Sequence, residues 1–173
     1  AAAECLRQAI ARWPNSAELH TNLGVILTQS GQAAEAIRCF QRAIELDPTC
    51  ADALSNLGSL LSRESRPEEA LAWHRRALAV RPDFEGAAQN LASTLLEVGR
   101  AEEARACYAA TAARHPQQPL WELCRISVCP NVFLDSNDIV AYRRRLLDEL
   151  EQFAERRLVL SPTELQAHGS TPS

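Results

Sequence analysis

The sequence predicts an all-α protein: a superhelical solenoid of antiparallel helix pairs, followed by a C-terminal capping helix and a long amphipathic helix. Three observations lead to this prediction. Proline recurs every 34 residues, at Pro14, Pro48, Pro82 and Pro116. An asparagine followed by leucine recurs at the same interval, at Asn22, Asn56 and Asn90. Between these markers, apolar residues stand three and four positions apart, which is the spacing of one buried helical face.

Within the first full repeat, the spacing of Leu23, Gly24 and Leu27 predicts the buried face of its first helix. Glycine lowers helix stability by about 1 kcal/mol relative to alanine. Gly24 nevertheless returns as Gly58 in the next repeat. We therefore expect a neighbouring helix to approach these glycines closely.

Helix ends are predicted at fixed places in each repeat. Gly31 and Gly99 follow first helices and suit a left-handed C-terminal stop, and Ser65 holds the same position in the middle repeat. Pro48 and Pro82 are expected to end the second helices, because proline cannot continue the backbone hydrogen bonds of a helix.

A 34-residue unit with Leu-Gly early, alanine and then an aromatic residue late, and a closing proline resembles the tetratricopeptide repeat. The resemblance covers residues 1–118. It implies three full units, 17–50, 51–84 and 85–118, after the second half of a truncated unit, 1–16. Stacked units bury one another's apolar faces, so a superhelix with a concave side is expected. Because the chain starts in the middle of a unit, we expect further repeats to precede it.

In this repeat family the first helix of each unit lines the concave groove. Eight groove residues are predicted to bind peptide: Asn22, Asn56, Asn90, Thr21, Ser55, Gln89, Ser59 and Ser93. An amide side chain offers one acceptor and two donors, so it can bridge the N–H and C=O groups of an extended peptide. The three asparagines are therefore interpreted as a ladder for extended protein segments. The alternative is that they only cap or tie neighbouring helices.

The groove is less suited to binding a C-terminal carboxylate. Thr21, Asp52 and Gln89 stand where a carboxylate clamp uses lysine or arginine, so donors are missing and one charge is of the wrong sign.

The repeat pattern breaks after Pro116, and residues 119–160 are predicted to form capping and linker helices. A short helix is expected to present Leu120, Trp121, Cys124 and Val128 to the end of the array. Residues 161–173 are predicted to be a flexible tail that starts with a capping box at Ser161.

A longer helix is predicted to follow the capping helix. Its apolar stripe consists of Ile139, Tyr142, Leu146, Leu150 and Phe153. The basic run 143–145 is expected to form a solvated face that pairs with Glu149 or Asp148.

The junction is similar to that of bacterial SPINDLY-like protein O-linked N-acetylglucosamine transferases. The matching features are Trp121, Arg125, Pro130 to Phe133, Ile139, and Tyr142 with Arg143 ahead of Leu146. The resemblance implies the substrate-recruiting repeat region of such an enzyme. The family's sugar-nucleotide-binding region has no match here, so no catalytic residues are assigned to this chain. The alternative is a free-standing scaffold or adaptor for complex assembly.

Composition argues against several other classes of function. The net charge of -4 makes nucleic acid and anionic membranes poor partners. No apolar run approaches the roughly 18 residues of a membrane span. The six cysteines form no CxxC motif, and we interpret all of them as small, buried or half-buried apolar residues in a reducing compartment. A cytoplasmic protein is therefore expected.

Neither catalysis nor a cofactor is expected in this chain. His20 and His74 fill positions where the repeat carries aromatic residues, so both are interpreted as packing residues. No histidine has metal-ligand spacing with cysteine or aspartate. No nucleophile–base pair or phosphate-binding motif is recognisable.

Overall fold

A computed structural model describes residues 2–129 and 135–155, and the regular elements in these ranges are helices. In chain order they are α1 (Ala2–Arg12), α2 (Ala17–Gln29), α3 (Ala33–Leu46), α4 (Ala51–Arg63), α5 (Pro67–Val80), α6 (Glu85–Glu97), α7 (Ala101–Arg114), α8 (Pro119–Ser127) and α9 (Ser136–Glu155). The all-α prediction is confirmed. The chain divides within α6, between Thr94 and Leu95, into two compact units.

In the first unit, each of the helices α1 to α4 packs against the next helix along the chain. The connections between α2 and α3 and between α4 and α5 span three residues each, which places the paired helices antiparallel. The leading helices of the two pairs, α2 and α4, also touch. Leu27, Phe40, Leu54 and Leu57 are each at most 1% exposed in the resulting core.

Two glycines let the helices of each pair approach closely. A Cβ atom at Gly24 would lie 2.6 Å from the Phe40 ring, and one at Gly58 would lie 2.7 Å from the His74 ring. Real Cβ atoms essentially never come this close to another heavy atom. The expected close approach of a neighbouring helix is confirmed, and it recurs at the same position of successive repeats.

The first helix of each repeat, α2, α4 or α6, is followed two residues later by a left-handed residue, as predicted. Gly31 has φ 72°, Gly99 has φ 78° and Ser65 has φ 59°. Behind Ser65, the Arg66 amide donates to the Leu61 carbonyl at 2.9 Å, which is the long hydrogen bond of a Schellman motif. The second helices end at Leu46 and Val80, two residues before Pro48 and Pro82.

Helix α1 contributes an apolar edge to the first unit. Leu6 and Ile10 are partly buried against the core of the first unit. Trp13 is 58% exposed, with the Arg12 guanidinium 5.3 Å from its ring centroid.

The second unit has its own core around α8. Trp121 is 1% exposed, and its indole nitrogen donates to the side chain of Gln118 at 2.8 Å. Leu120 and Val128 are also buried, and Cys124 is half-buried. Helix α8 packs against α7, so its apolar residues close this unit as the sequence predicts.

Helix α9 also packs against α8, through a half-buried stripe. Tyr142, Leu146, Leu150 and Phe153 lie on it as expected, whereas Ile139, at the start of the helix, is 43% exposed.

Glu149 anchors α9 to the other helices of the second unit. It forms ion pairs with Arg105 of α7 and with Arg125 of α8, the latter at 3.0 Å. Arg145 lies 4.0 Å from the same carboxylate, while Arg143 and Arg144 are exposed. The basic run is therefore split between a solvated part and one residue near Glu149.

The prediction for the cysteines is wrong at two positions. Cys39 is buried and Cys50, Cys107 and Cys124 are half-buried, but Cys5 and Cys129 are exposed. Burial raises the pKa of the Cys39 and Cys124 thiols, which keeps them protonated and apolar. No disulfide bond joins any of the six cysteines, all of which lie in the described ranges.

Part of the predicted junction lies outside the described residues. This applies to Pro130 to Phe133, to residues 156–160 of the linker segment, and to the tail 161–173 with Ser161. These expectations remain predictions.

Candidate functional site

The leading helices of the first unit present the predicted asparagines on one surface. We call it the A-helix face: α2, α4 and residues 85–94 of α6. Asn22 is exposed, and Asn56 and Asn90 are half-buried. Since α2 and α4 touch, and Asn90 is hydrogen-bonded to α4, the three positions lie on adjacent helices. How far these side chains are available to a partner depends on what they already bind.

Asn22 and Asn56 are open to a partner. Neither side chain makes a hydrogen bond or other polar contact within residues 2–129 and 135–155. An exposed or half-buried amide in this state keeps its acceptor and both donors for water or a ligand. These two residues fit the ladder interpretation.

Asn90 fits the alternative, in which the asparagine ties neighbouring helices. Its side-chain nitrogen donates to the Ser59 hydroxyl at 2.9 Å. That hydroxyl in turn donates to the Ser55 carbonyl oxygen at 3.1 Å. One donor of Asn90 is therefore used in holding α6 to α4.

The remaining predicted site residues differ in how accessible they are. Thr21 and Ser55 are 7% and 3% exposed. The Thr21 hydroxyl donates to the Ala17 carbonyl at 2.8 Å. Both residues face the interior, one helical position away from the asparagines. Gln89 is half-buried and Ser93 is exposed.

The charge of the A-helix face is partly neutralised. Asp52 accepts two hydrogen bonds from Arg81, the shorter at 2.9 Å. Glu18, in the first turn of α2, is exposed. Arg63, in the last turn of α4, is also exposed and makes no ion pair with the described residues. One acidic and one basic group are thus left for a partner, at opposite ends of the leading helices.

The histidines differ in their surroundings. The His20 ring is half-buried, and its Nε2 lies 3.1 Å from the Pro14 carbonyl oxygen. His74 is fully buried, and burial lowers its pKa to about 4. It therefore packs as a neutral ring, as the sequence predicts. Within the described ranges, no group of three or more histidine, cysteine or acidic side chains is placed to hold a metal ion.

Stacked antiparallel helix pairs with a polar face on the leading helices define a helical-repeat scaffold for protein–protein interaction. Two models of the tetratricopeptide repeat match the chain, one at residues 15–83 and one at residues 61–124. Together they span more than half of it. The chain belongs to the tetratricopeptide repeat family, whose domains bind protein partners.

Solved structures of MamA share the fold. A crystal structure of MamA has 21% identity, covers 89% of this chain and 90% of its own, and has a TM-score of 0.65. A second MamA structure has 22% identity, coverages of 93% and 87%, and a TM-score of 0.66. A MamA double mutant has 15% identity, coverages of 98% and 86%, and a TM-score of 0.69. At these identities the likeness concerns the fold.

Two further findings concern the sequence as a whole and the helices of the described residues. No curated protein sequence matches the chain significantly. Across the described residues, no helix combines the length and the apolarity that crossing a bilayer requires.

Proposed function

We propose that the A-helix face binds extended peptide segments of partner proteins through the amides of Asn22 and Asn56. The observation that carries this proposal is that both amides are open while standing one repeat apart on touching helices. Packed helices lie about 8–10 Å apart. An extended chain rises about 3.3 Å per residue, so three residues of a peptide would span the two amides.

Backbone recognition suits this geometry better than recognition of a terminal carboxylate. The face offers neutral amides at its centre and, at one end, Arg63, which makes no ion pair with the described residues. Asn22 and Asn56 would each bridge a backbone N–H and C=O of the bound segment. Asn90 would contribute its remaining acceptor and donor while tied to Ser59.

The test uses peptides selected by phage display from a random library against the whole chain, with affinities measured by titration calorimetry. Replacing Asn22 and Asn56 together by alanine should weaken binding by about tenfold or more, since two sets of backbone hydrogen bonds are lost. The melting temperature should stay nearly unchanged, because neither side chain bonds within the described protein.

Two variants serve as controls. Asn15→Ala removes an exposed asparagine between α1 and α2 and should leave affinity unchanged. Asn90→Ala should lower stability by about 1 kcal/mol, since it breaks the bond to Ser59. Selection of no peptide, or full affinity in the Asn22/Asn56 double variant, would contradict the proposal.

A finer proposal is that this face recruits substrates for sugar transfer. It is supported by the junction residues that resemble SPINDLY-like transferases, of which Trp121 packs in the second unit and Arg125 pairs with Glu122 at 2.8 Å. The rival is a free-standing scaffold, which needs no more than the repeats. The reading frame after Ser173 separates the two: a sugar-nucleotide-binding region supports recruitment, and a stop codon contradicts it.

The cytoplasm is the proposed location for either role. Six cysteines without a disulfide bond, two of them exposed, suit a reducing compartment. Fractionation of the source cells with detection of the native protein tests this, and recovery with secreted proteins would contradict it.

A further inference from the structure

An open pocket of about 190 Å³ lies on the A-helix face between α2 and α4. Its apolar wall is formed by Val25 of α2, Phe40 of α3 and Leu60 of α4. Phe40 and Leu60 are buried in the core, so this wall is held rigidly by the packing beneath it. For comparison, an apolar cavity of roughly 150 Å³ holds a benzene-sized group. The pocket is therefore large enough for one apolar side chain.

The rim of the pocket is polar on two sides. Asn56 lines it with its open amide, and Gln29 and Arg63 stand at the solvent edge. None of these three side chains makes a hydrogen bond or ion pair within the described ranges. An apolar wall beside convergent, unpaired polar groups is the composition of a binding subsite.

The next pair of leading helices shows why the pocket carries an open amide. Ser59 of α4 corresponds to Val25 of α2, one repeat apart, and Asn90 corresponds to Asn56. The Ser59 hydroxyl accepts a hydrogen bond from Asn90 at 2.9 Å, so that amide is engaged. Valine offers no acceptor, and Asn56 is left unengaged above an apolar surface. Whether the asparagine amide is hydrogen-bonded, as at Asn90, or open, as at Asn56, thus depends on whether serine or valine stands on the preceding leading helix.

The charges around the pocket indicate which residue of a bound peptide would stand beside the apolar side chain that fills it. At this end of the face, Arg63 makes no ion pair with any residue of the described part of the chain. Asp52, an acidic residue of the same helix, is already bound by Arg81 at 2.9 Å. Glu18 lies at the opposite end of α2 from Gln29 and thus away from the pocket. Among peptide side chains, a carboxylate is the group that can accept two parallel hydrogen bonds from an arginine.

We propose that this pocket anchors an aliphatic side chain of an extended peptide, with an aspartate or glutamate next to it that pairs with Arg63. The inference rests on the proposed function, because the Asn56 amide would hold the backbone between these two side chains. It gives the face a sequence preference, whereas amides alone bind any backbone.

The test repeats the peptide selection on the whole chain and then measures affinities by fluorescence polarisation with labelled consensus peptides. The unmodified chain should select an aliphatic residue beside an acidic one. Replacing that acidic residue by lysine in the peptide should weaken binding about tenfold. Arg63→Glu should reverse this preference, so that the lysine peptide binds more tightly than the acidic one. A change of stability alone cannot produce such a reversal.

Val25→Ser tests the apolar wall. It should give Asn56 the hydroxyl partner that Asn90 has in Ser59, and the selected consensus should lose its aliphatic residue. Arg38→Glu, at an exposed arginine of α3 outside the pocket, is the matched charge control and should leave the preference intact.

The outcomes separate this inference from the proposed function. If Arg63→Glu and Val25→Ser leave the consensus and affinities unchanged while the Asn22/Asn56 double variant loses binding, the pocket assignment is overturned and the ladder stands. A consensus with a basic or polar residue at the anchor position also overturns it. If binding survives the double variant, or no peptide is selected, both proposals fail.

Discussion

Replacing Leu57 by alanine is expected to lower the free energy of unfolding by about 2–5 kcal/mol. Leu57 is 1% exposed and belongs to the core cluster of the first unit. The substitution removes apolar surface from this core and leaves a cavity that rigid neighbouring helices fill only in part. Denaturant unfolding followed by circular dichroism measures the change.

Leu147→Ala is the matched control, because Leu147 is 57% exposed on α9. The same chemical change at a surface position should alter stability by less than about 0.5 kcal/mol. A loss for Leu57→Ala as small as that of the control would mean that the buried face of α4 is wrongly assigned.

Replacing His74 by phenylalanine is expected to raise stability at neutral pH by about 1–3 kcal/mol. The imidazole is fully buried, and neither ring nitrogen has a hydrogen-bond partner among the described residues. Such groups lose hydration without compensation. The preceding repeat shows that phenylalanine fits, since Phe40 packs on Gly24 as His74 packs on Gly58.

The gain in stability from replacing His74 should grow as the pH falls. Its pKa is lowered from 6.5 to about 4 in the folded protein, so the unfolded chain binds a proton more readily between these values. The stability that depends on the neutral ring is fully present above about pH 6.5 and is lost progressively down to about pH 4. The difference in pKa corresponds to roughly 3 kcal/mol.

Unfolding free energies of the unmodified chain and the His74→Phe variant, measured from pH 7.5 to pH 4, test this expectation. The two curves should diverge toward acid, with the variant losing less. Parallel curves for His74→Phe would refute the buried neutral ring.

The helices were predictable because each repeat carries the same local signals. Gly31, Ser65 and Gly99 occupy one position of the 34-residue period, and all three adopt a positive φ. The requirement for a left-handed residue is a property of the local backbone, so it is visible in the sequence. The close approach at Gly24 was predictable for a similar reason, since glycine in a helix interior needs a packing cause.

The accessible side of the leading helices was predictable to within about one helical position. Successive residues of a helix point about 100° apart, so Thr21 faces the core while Asn22 next to it faces solvent. The repeat pattern places both on the leading helix but does not resolve this angle. The exposure of Cys5, which stands next to half-buried Leu6 on α1, was missed for the same reason.

The state of each amide depends on a residue distant in sequence. Asn56 and Asn90 are equivalent in the repeat, yet Asn90 meets Ser59 and Asn56 lies beside Val25. The partner stands 31 residues earlier on the neighbouring helix, and pairing across that distance appears only once the helices are packed. The sequence did contain one signal for the pocket: valine at position 25 replaces the serine that stands at the equivalent position 59.

The most direct test of peptide binding by the A-helix face is to record the side-chain amide signals of the asparagines by NMR while a selected peptide is added. We expect the NH₂ signals of Asn22 and Asn56 to shift as the peptide saturates the protein. Asn15 and Asn137, which are exposed elsewhere, should keep their positions. Saturation with the signals of Asn22 and Asn56 unmoved would contradict the account.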